Sequence, residues 1–167
     1  MNSRIKLVYF PAPVLMEPCR PVKEGVSPEM VAGMERILEE KEGLGLAAPQ
    51  VGVSLRFALC RDEEERVHPL INPIILEHSS ERVVDWEGCL SMPELIARVP
   101  RSPYVVVEAT HLDGERFRME ASGLFARVIQ HELDHLDGVL LFDRALEGSL
   151  EYKERPVGVE EAKRCFE

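Results

Sequence analysis

Two histidines and a glutamate lie close together in the sequence His131-Glu132-Leu133-Asp134-His135. In a helix, residues four apart lie on the same face, so both imidazoles could bind one divalent metal ion. Glu132 would then lie beside the metal, where a carboxylate can accept a proton from an activated water. The same pattern also arises by chance on ordinary surface helices. It therefore predicts a hydrolytic metal site only if a third ligand comes from elsewhere in the chain.

The chain offers several candidates for a third ligand. The long zinc signature, in which a third histidine follows the second by six residues, is excluded because Leu141 occupies that position. A downstream glutamate, as in thermolysin-like peptidases, remains open, although that segment has few apolar residues to support it. These glutamates are Glu151, Glu154, Glu160 and Glu161. The remaining histidines, His68, His78 and His111, lie beside turn residues or acidic groups, and we expect them to face solvent.

Cys89 is a different kind of candidate, because it lies between two predicted strands in Glu87-Gly88-Cys89-Leu90-Ser91. Gly88 allows the backbone to bend, so that a thiolate could point into a site. A lone cysteine is more often a small buried apolar residue. Position alone leaves both interpretations open.

Length and composition indicate one globular domain, because the chain has 167 residues and 45% hydrophobic content. We expect a single catalytic domain over 1–167, with a charged tail over about 147–167 that is a short helix or partly disordered. The net charge of −10 argues against autonomous binding to nucleic acid or to an anionic membrane, although a local basic patch could exist.

No apolar run resembles a secretory or membrane-spanning segment, so we expect a cytoplasmic protein, or an organellar one if a transit peptide is missing. The four cysteines are scattered without a Cys-x-x-Cys pair, which favours free thiols in a reducing compartment. They are Cys19, Cys60, Cys89 and Cys165.

The elements that must position these groups follow from apolar periodicity and turn residues. A helix is predicted over about 28–42, with Ser27 as N-cap and Gly43 at its end. A second helix, over about 122–136, carries both histidines and ends at Gly138. Strand signals lie between them, at 56–60, 70–76, 82–86, 96–99, 104–109 and 116–120. This order predicts an α+β fold in which antiparallel β-sheets pack around a central metal-binding helix, with an N-terminal helix.

An unusual stretch follows the first predicted helix. It is small, apolar and rich in glycine, and reads Gly43-Leu44-Gly45-Leu46-Ala47-Ala48-Pro49-Gln50-Val51-Gly52. Gly45 would allow a ligand to approach the backbone closely. The stretch lacks the lysine and the glycine spacing of phosphate-binding loops. A buried strand with a turn accounts for the backbone but leaves the polar side chain of Gln50 unexplained.

Taken together, three motifs resemble those of the peptide deformylase family, metal-dependent enzymes that remove the formyl group from N-formylmethionine on new polypeptides. They are a G-φ-G-φ-A-A-x-Q stretch at 43–50, an E-G-C-L-S segment at 87–91 and a Q-H-E-x-D-H sequence at 130–135. The similarity covers most of 5–146. The chain departs from the family at Ala12-Pro13-Val14-Leu15-Met16, where Asp-Pro-φ-Leu-Arg is usual, at Met92, where Val or Ile is common, and in its C-terminal end.

The resemblance implies a ligand set and catalytic roles. Cys89, His131 and His135 would bind the metal, which the family implies is Fe²⁺, with Zn²⁺, Ni²⁺ or Co²⁺ as substitutes. Glu132 would act as general base, while the side-chain amide of Gln50 and the backbone N–H of Leu90 would stabilise the oxyanion. The products would be formate and a free amino terminus.

The resemblance also implies how the substrate binds. The N-formylmethionyl nascent polypeptide would pair as an added strand with Gly43-Leu44-Gly45, and its methionine side chain would enter an apolar pocket. The candidate substrate-binding residues are Gly43, Leu44, Gly45, Trp86, Glu87, Gly88, Leu124, Arg127 and Val128. A transient contact with the ribosome is compatible with such a substrate. Two alternatives stay open: a His-Glu-x-x-His metallopeptidase with a distant third ligand, and a catalytically silent peptide-binding relative.

Overall fold

The computed structural model describes residues 4–167. The strands are β1 Gly45–Ala47, β2 Phe57–Arg61, β3 Val67–His78, β4 Val83–Cys89, β5 Met92–Arg101, β6 Tyr104–Thr110, β7 Arg116–Ser122, β8 Glu151–Tyr152 and β9 Arg155–Pro156. The helices are α1 Pro28–Glu40, α2 Gly123–Leu136, α3 Leu141–Arg144 and α4 Val159–Arg164, with 3-10 turns at Pro13–Met16 and Ala48–Val51. Within this described part, no helix is both long and apolar enough to span a membrane.

Two antiparallel sheets enclose α2. The first sheet has the order β1-β2-β3-β6-β7 and the second has the order β4-β5-β8-β9. One side of α2 packs on β1 and β2. From its other side, Arg127 donates to the carbonyls of Val83 in β4 and Val99 in β5. The predicted α+β fold, with sheets around a central helix and a helix near the N-terminus, is confirmed.

Helix α1 begins as its sequence predicts but ends earlier. The Ser27 hydroxyl accepts a hydrogen bond from the Met30 N–H at 3.2 Å, and Pro28 occupies the first turn. The helix ends at Glu40 rather than near 42. Glu42, and not a glycine, adopts the left-handed conformation with φ of 50°.

Gly43 lies where a larger residue would crowd the neighbouring leucine side chains. A Cβ at Gly43 would lie 3.0 Å from Leu90 Cδ1 and 3.1 Å from Leu38 Cδ1. The absence of a side chain therefore lets the loop after α1 pack tightly between α1 and the turn that follows Cys89.

Helix α2 ends where the N-terminal segment crosses it. Gly138 has φ of 74°, and a Cβ there would lie 2.8 Å from the carbonyl carbon of Glu17. The last helical carbonyl, that of Leu136, accepts hydrogen bonds from the Cys19 N–H at 2.8 Å and from Arg56 Nη1 at 3.1 Å. Glycine at this position thus allows both the chain reversal and the close crossing.

Strand β3 is longer than the predicted strand at 70–76, because it begins at Val67 and ends at His78, and it continues without a break through Asn72 and Pro73. Asn72 has φ of 48°, and the register of β3 against β6 shifts between Ile71 and Ile74. The Asn72 side chain accepts from the Val22 N–H at 2.8 Å and donates to the Val22 carbonyl at 2.9 Å. These two bonds stabilise the bulge at Asn72.

The C-terminal segment packs onto the protein. The predicted short helix is present as α4, but the preceding residues form the hairpin β8–β9, which extends the second sheet at β5. Leu150, Val157 and Ala162 are buried in the same apolar cluster as Phe10 and Leu95. The prediction of partial disorder is wrong, because apolar residues spaced among the charges supply buried contacts.

Candidate metal and catalytic site

Strand β1, the end of β4 and helix α2 meet around a cavity of about 490 Å³. Every predicted catalytic, ligand or substrate-binding residue except His135 lines it, namely Gly43, Leu44, Gly45, Gln50, Trp86, Glu87, Gly88, Cys89, Leu90, Leu124, Arg127, Val128, His131 and Glu132. His135 is buried behind this wall. Residues far apart in sequence are thus brought together in one cleft.

Cys89, His131 and His135 form a group that fits a metal ion. Their ligand atoms all lie within 4.8 Å of one another, and Cys89 Sγ is 3.3 Å from His135 Nε2. Among residues 4–167 this is the one group of three or more His, Cys, Asp or Glu side chains that is arranged to hold an ion. One thiolate and two imidazoles suit a borderline-soft divalent metal and leave a fourth position for water or substrate.

Glu87 fixes the orientation of His131. Its Oε1 lies 2.8 Å from His131 Nδ1, so the other ring nitrogen is free to act as a ligand. Arg101 donates to both carboxylate oxygens of Glu87 at 2.9 Å, and Arg127 Nη1 donates at 2.7 Å. Burial opposes ionisation, but the hydrogen bonds from His131 and Arg101 outweigh it and hold the pKa of Glu87 well below its usual value.

A second carboxylate extends this buried network. Arg101 Nη1 donates to Asp134 Oδ2 at 2.6 Å, and Arg144 Nη2 donates to Asp134 Oδ1 at 2.9 Å. Arg101 therefore links helix α2 to Glu87 and, through it, to His131. Sequence reasoning missed Arg101, because nothing in its local pattern distinguishes it from a surface arginine at a strand end.

Two predicted substrate-binding residues have other partners. Both oxygens of Glu87 are bonded within the protein, and the guanidinium of Arg127 bonds Glu87 and the carbonyls of Val83 and Val99. Arg127 is buried. Both side chains line the cavity, and their hydrogen bonds connect helix α2 to strands β4 and β5.

Glu132 projects from α2 into a restricted space. It is 4% exposed, and its Oε2 has no hydrogen-bond partner among the described residues. A Cβ at Gly45 would lie 2.3 Å from Glu132 Oε1. The close approach expected at Gly45 is therefore made by this carboxylate. Burial, partly opposed by His131, raises the pKa of Glu132 to about 7, a value suited to both accepting and releasing a proton near neutral pH.

The structure accounts for the polar side chain of Gln50. Its Oε1 accepts from the Ala47 N–H at 2.9 Å, which orients the amide. Its Nε2 then lies 3.3 Å from Ser91 Oγ and 3.6 Å from Cys89 Sγ. Ser91 is fully buried and was not predicted as a site residue, although it belongs to the same short motif as Cys89. The amide nitrogen of Gln50 therefore lies beside Cys89, a member of the metal-ligand group.

Apolar side chains form the outer part of the cavity. Trp86 and Leu124 are each 45% exposed, Leu44 is 44% exposed, and Val128 is buried. Exposed apolar residues beside a concave surface are typical of a binding site for an apolar group. The arrangement joins an apolar pocket to a metal-ligand group and a buried carboxylate.

Comparison with known proteins agrees with this arrangement. A family model described as polypeptide deformylase matches residues 5–150. A peptide deformylase of Dictyoglomus thermophilum is 46% identical over 127 residues, covering 76% of this chain and 82% of that protein. One from Acidobacterium capsulatum is 41% identical over 145 residues, covering 83% and 84%.

Solved structures show the same similarity. The peptide deformylase of Thermotoga maritima is 39% identical with a TM-score of 0.81, covering 85% of this chain and 97% of that one. A Synechococcus elongatus peptide deformylase in complex with actinonin is 34% identical with a TM-score of 0.81, covering 88% and 84%. The chain therefore belongs to the peptide deformylase family, metal-dependent enzymes that remove the N-formyl group from nascent proteins.

Proposed function

We propose that Cys89, His131 and His135 hold the catalytic metal of this deformylase, and that the ion is Fe²⁺, with Zn²⁺, Ni²⁺ or Co²⁺ as substitutes. The observation that carries the proposal is the approach of the three ligand atoms to within 4.8 Å of one another, beside a cavity that Cys89, His131 and Glu132 line. A bound divalent ion would supply Lewis acidity, which lowers the pKa of water and polarises the formyl carbonyl.

The side chains around the ligands have separate roles in the proposed reaction. Glu132 takes a proton from the attacking water and returns it to the nitrogen of the departing amine. Gln50 Nε2 and the Leu90 N–H donate hydrogen bonds to the developing oxyanion. Because Oε1 of Gln50 is held by the Ala47 N–H, the amide is oriented before substrate arrives. Glu87 and Arg101 act through His131 and are positioning residues.

Two free strand edges support the proposed mode of substrate binding. Strand β1 is an edge of the first sheet, strand β4 is an edge of the second, and residues of both line the cavity. The backbone of Gly43, Leu44 and Gly45 can thus pair with an extended peptide, with Gly88 on the facing edge. Trp86, Leu124 and Val128 would receive the methionine side chain, and Gly45 and Leu90 leave little room for an acyl group larger than formyl.

The two alternatives receive no support. A metallopeptidase with a ligand from the C-terminal glutamates would need one of them near the histidines, whereas Cys89 is the third member of the group. A silent relative would be expected to lack some of the reactive groups, yet Gln50, Cys89 and Glu132 are present. We place the activity in the cytoplasm, or in an organelle if a transit peptide precedes the chain, with transient ribosome contact.

The test compares formate release and metal content in two variants. Glu132→Ala should retain the metal but lose at least about 10²-fold in kcat for formyl-Met-Ala, the usual scale for a general base. Glu147→Ala, which removes the same charge from an exposed position, should retain both. An unchanged rate in Glu132→Ala with full metal content would contradict the role of Glu132. Cleavage of internal bonds in casein would instead favour an endopeptidase.

A further inference from the structure

A second cavity, of about 400 Å³, lies on the other side of α2. Its walls come from β3, the end of β5, and the helix residues Gln130, Leu133 and Asp134. It shares no lining residue with the catalytic cavity, whose helix contacts include His131 and Glu132. Apart from Arg101 and its partner Asp134, the residues that line this second cavity have no role in the proposed deformylase chemistry.

Four arginines meet at this cavity in a chain with a net charge of −10. They are Arg56, Arg82, Arg101 and Arg144, and His78 lies beside them. The facing carboxylates are Asp134 and Asp137. Arg101 is neutralised on both sides by Glu87 and Asp134. Arg56 pairs with Asp137 and Arg144 with Asp134, so Arg82 is the one arginine of the four without a carboxylate partner in the described part of the chain. The four lining arginines nevertheless outnumber the two lining carboxylates, on a protein that is acidic as a whole.

Two of these arginines retain unused donors. Arg56 bonds through Nη1, to the Leu136 carbonyl at 3.1 Å and to Asp137 Oδ1 at 2.8 Å. Arg82 also bonds through Nη1, including Ser102 Oγ at 2.8 Å. Among the described residues, neither Nε nor Nη2 of Arg56 or Arg82 has a hydrogen-bond partner. Each guanidinium is therefore anchored at one nitrogen and offers its other donors to an external acceptor.

We propose that this arginine-lined cavity binds a phosphate group, either as the free ion or as part of a small phosphorylated molecule. Guanidinium groups match the oxygen spacing of phosphate and bind it with paired, charge-assisted hydrogen bonds. The apolar side chains of Ile74, Ile75 and Leu133 form another part of the wall and could contact an organic moiety. A long polyanion is disfavoured because the acidic remainder of the surface would repel it.

The test is calorimetric titration of the metal-loaded enzyme with inorganic phosphate and, separately, with AMP. We expect saturable binding with one site per chain. Arg82→Gln and Arg56→Gln should each weaken it at least about tenfold, the scale of one charge-assisted hydrogen bond. Arg98→Gln removes an equal charge from an exposed position outside both cavities and should change affinity less than about twofold. A rate of formate release equal to that of the parent enzyme shows that each of the three variants is folded.

Each result decides the proposal. Tighter binding of AMP identifies a phosphorylated molecule as the ligand, and equal affinities identify free phosphate. Binding that is unchanged in both Arg82→Gln and Arg56→Gln would place the anion elsewhere, for example at the metal, and overturn the proposal. No saturable binding up to about 10 mM of either probe would also overturn it.

Arginine footprinting of the unmodified enzyme covers the case in which the variants do not fold. Phosphate should protect Arg56 and Arg82 from phenylglyoxal while leaving Arg98 reactive. Equal protection of all three would contradict a localised site.

Discussion

Replacing Gly45 with alanine tests how the catalytic carboxylate is positioned. A Cβ at Gly45 would lie 2.3 Å from Glu132 Oε1 and 2.7 Å from both Cδ and Cγ. Ordinary contacts begin near 3.4 Å, so the carboxylate must move by about 1 Å or more. Glu132 cannot move away as a unit, because α2 packs directly on β1 and β2. Its side chain must therefore adopt another rotamer.

A displacement of about 1 Å at a reacting group lowers the rate by about 10²-fold, equivalent to about 2.7 kcal/mol of transition-state stabilisation. We expect Gly45→Ala to lose about that factor in kcat for formyl-Met-Ala, measured as formate release. Metal content should be unchanged, because the close contacts of the added Cβ are with Glu132 and not with a predicted ligand.

Gly158→Ala is the matched control, since a Cβ there meets nothing within 4 Å and the φ of −78° is ordinary. It should retain full activity. A Gly45→Ala enzyme with an unchanged kcat would refute the steric reasoning. A rise in KM at constant kcat would instead show that the added methyl disturbs peptide pairing along β1 and leaves Glu132 in place.

Three further outcomes are expected. Cys89→Ala should lose most of the bound metal, measured by elemental analysis, because a thiolate ligand is removed; full occupancy would exclude Cys89 as a ligand. Arg101→Gln should lower the free energy of unfolding by roughly 3 kcal/mol in urea titrations, since Glu87 and Asp134 lose a buried partner; a stability equal to that of the parent would contradict this account of the network. The Fe²⁺ form should lose formate release in air while the Ni²⁺ form retains it, because in an open site O₂ oxidises Fe²⁺ and the thiolate bound to it, whereas Ni²⁺ is not oxidised; equal loss or equal persistence would argue against iron at Cys89.

The elements were predictable where the deciding forces are local. Helix α1 is determined by capping at Ser27, a proline in the first turn and apolar periodicity, which all act between residues close together in the sequence. Four-residue spacing was sufficient to place His131 and His135 on one helix. The bulge at Asn72 was not predictable, because it depends on hydrogen bonds to Val22, 50 residues away.

The C-terminal segment likewise has features that its sequence shows and features that depend on contacts with distant residues. Its charges are visible in the sequence, but the burial of Leu150, Val157 and Ala162 depends on an apolar surface that β5 and the N-terminal segment build together. Composition alone therefore predicted partial disorder for a segment that is folded.

At the candidate site, the sequence by itself determined which reactive groups the chain carries: the thiol of Cys89, two imidazoles, and the side chains of Glu132 and Gln50. Local motifs were sufficient to identify these groups, because the residue type alone determines which reactive group a side chain has. Only the tertiary structure decided how these groups are oriented. Arg101 reaches Glu87 across 14 residues and Asp134 across 33, and Gly45 leaves the space that Glu132 fills. Such contacts arise from the packing of sheets against a helix, which no local pattern encodes.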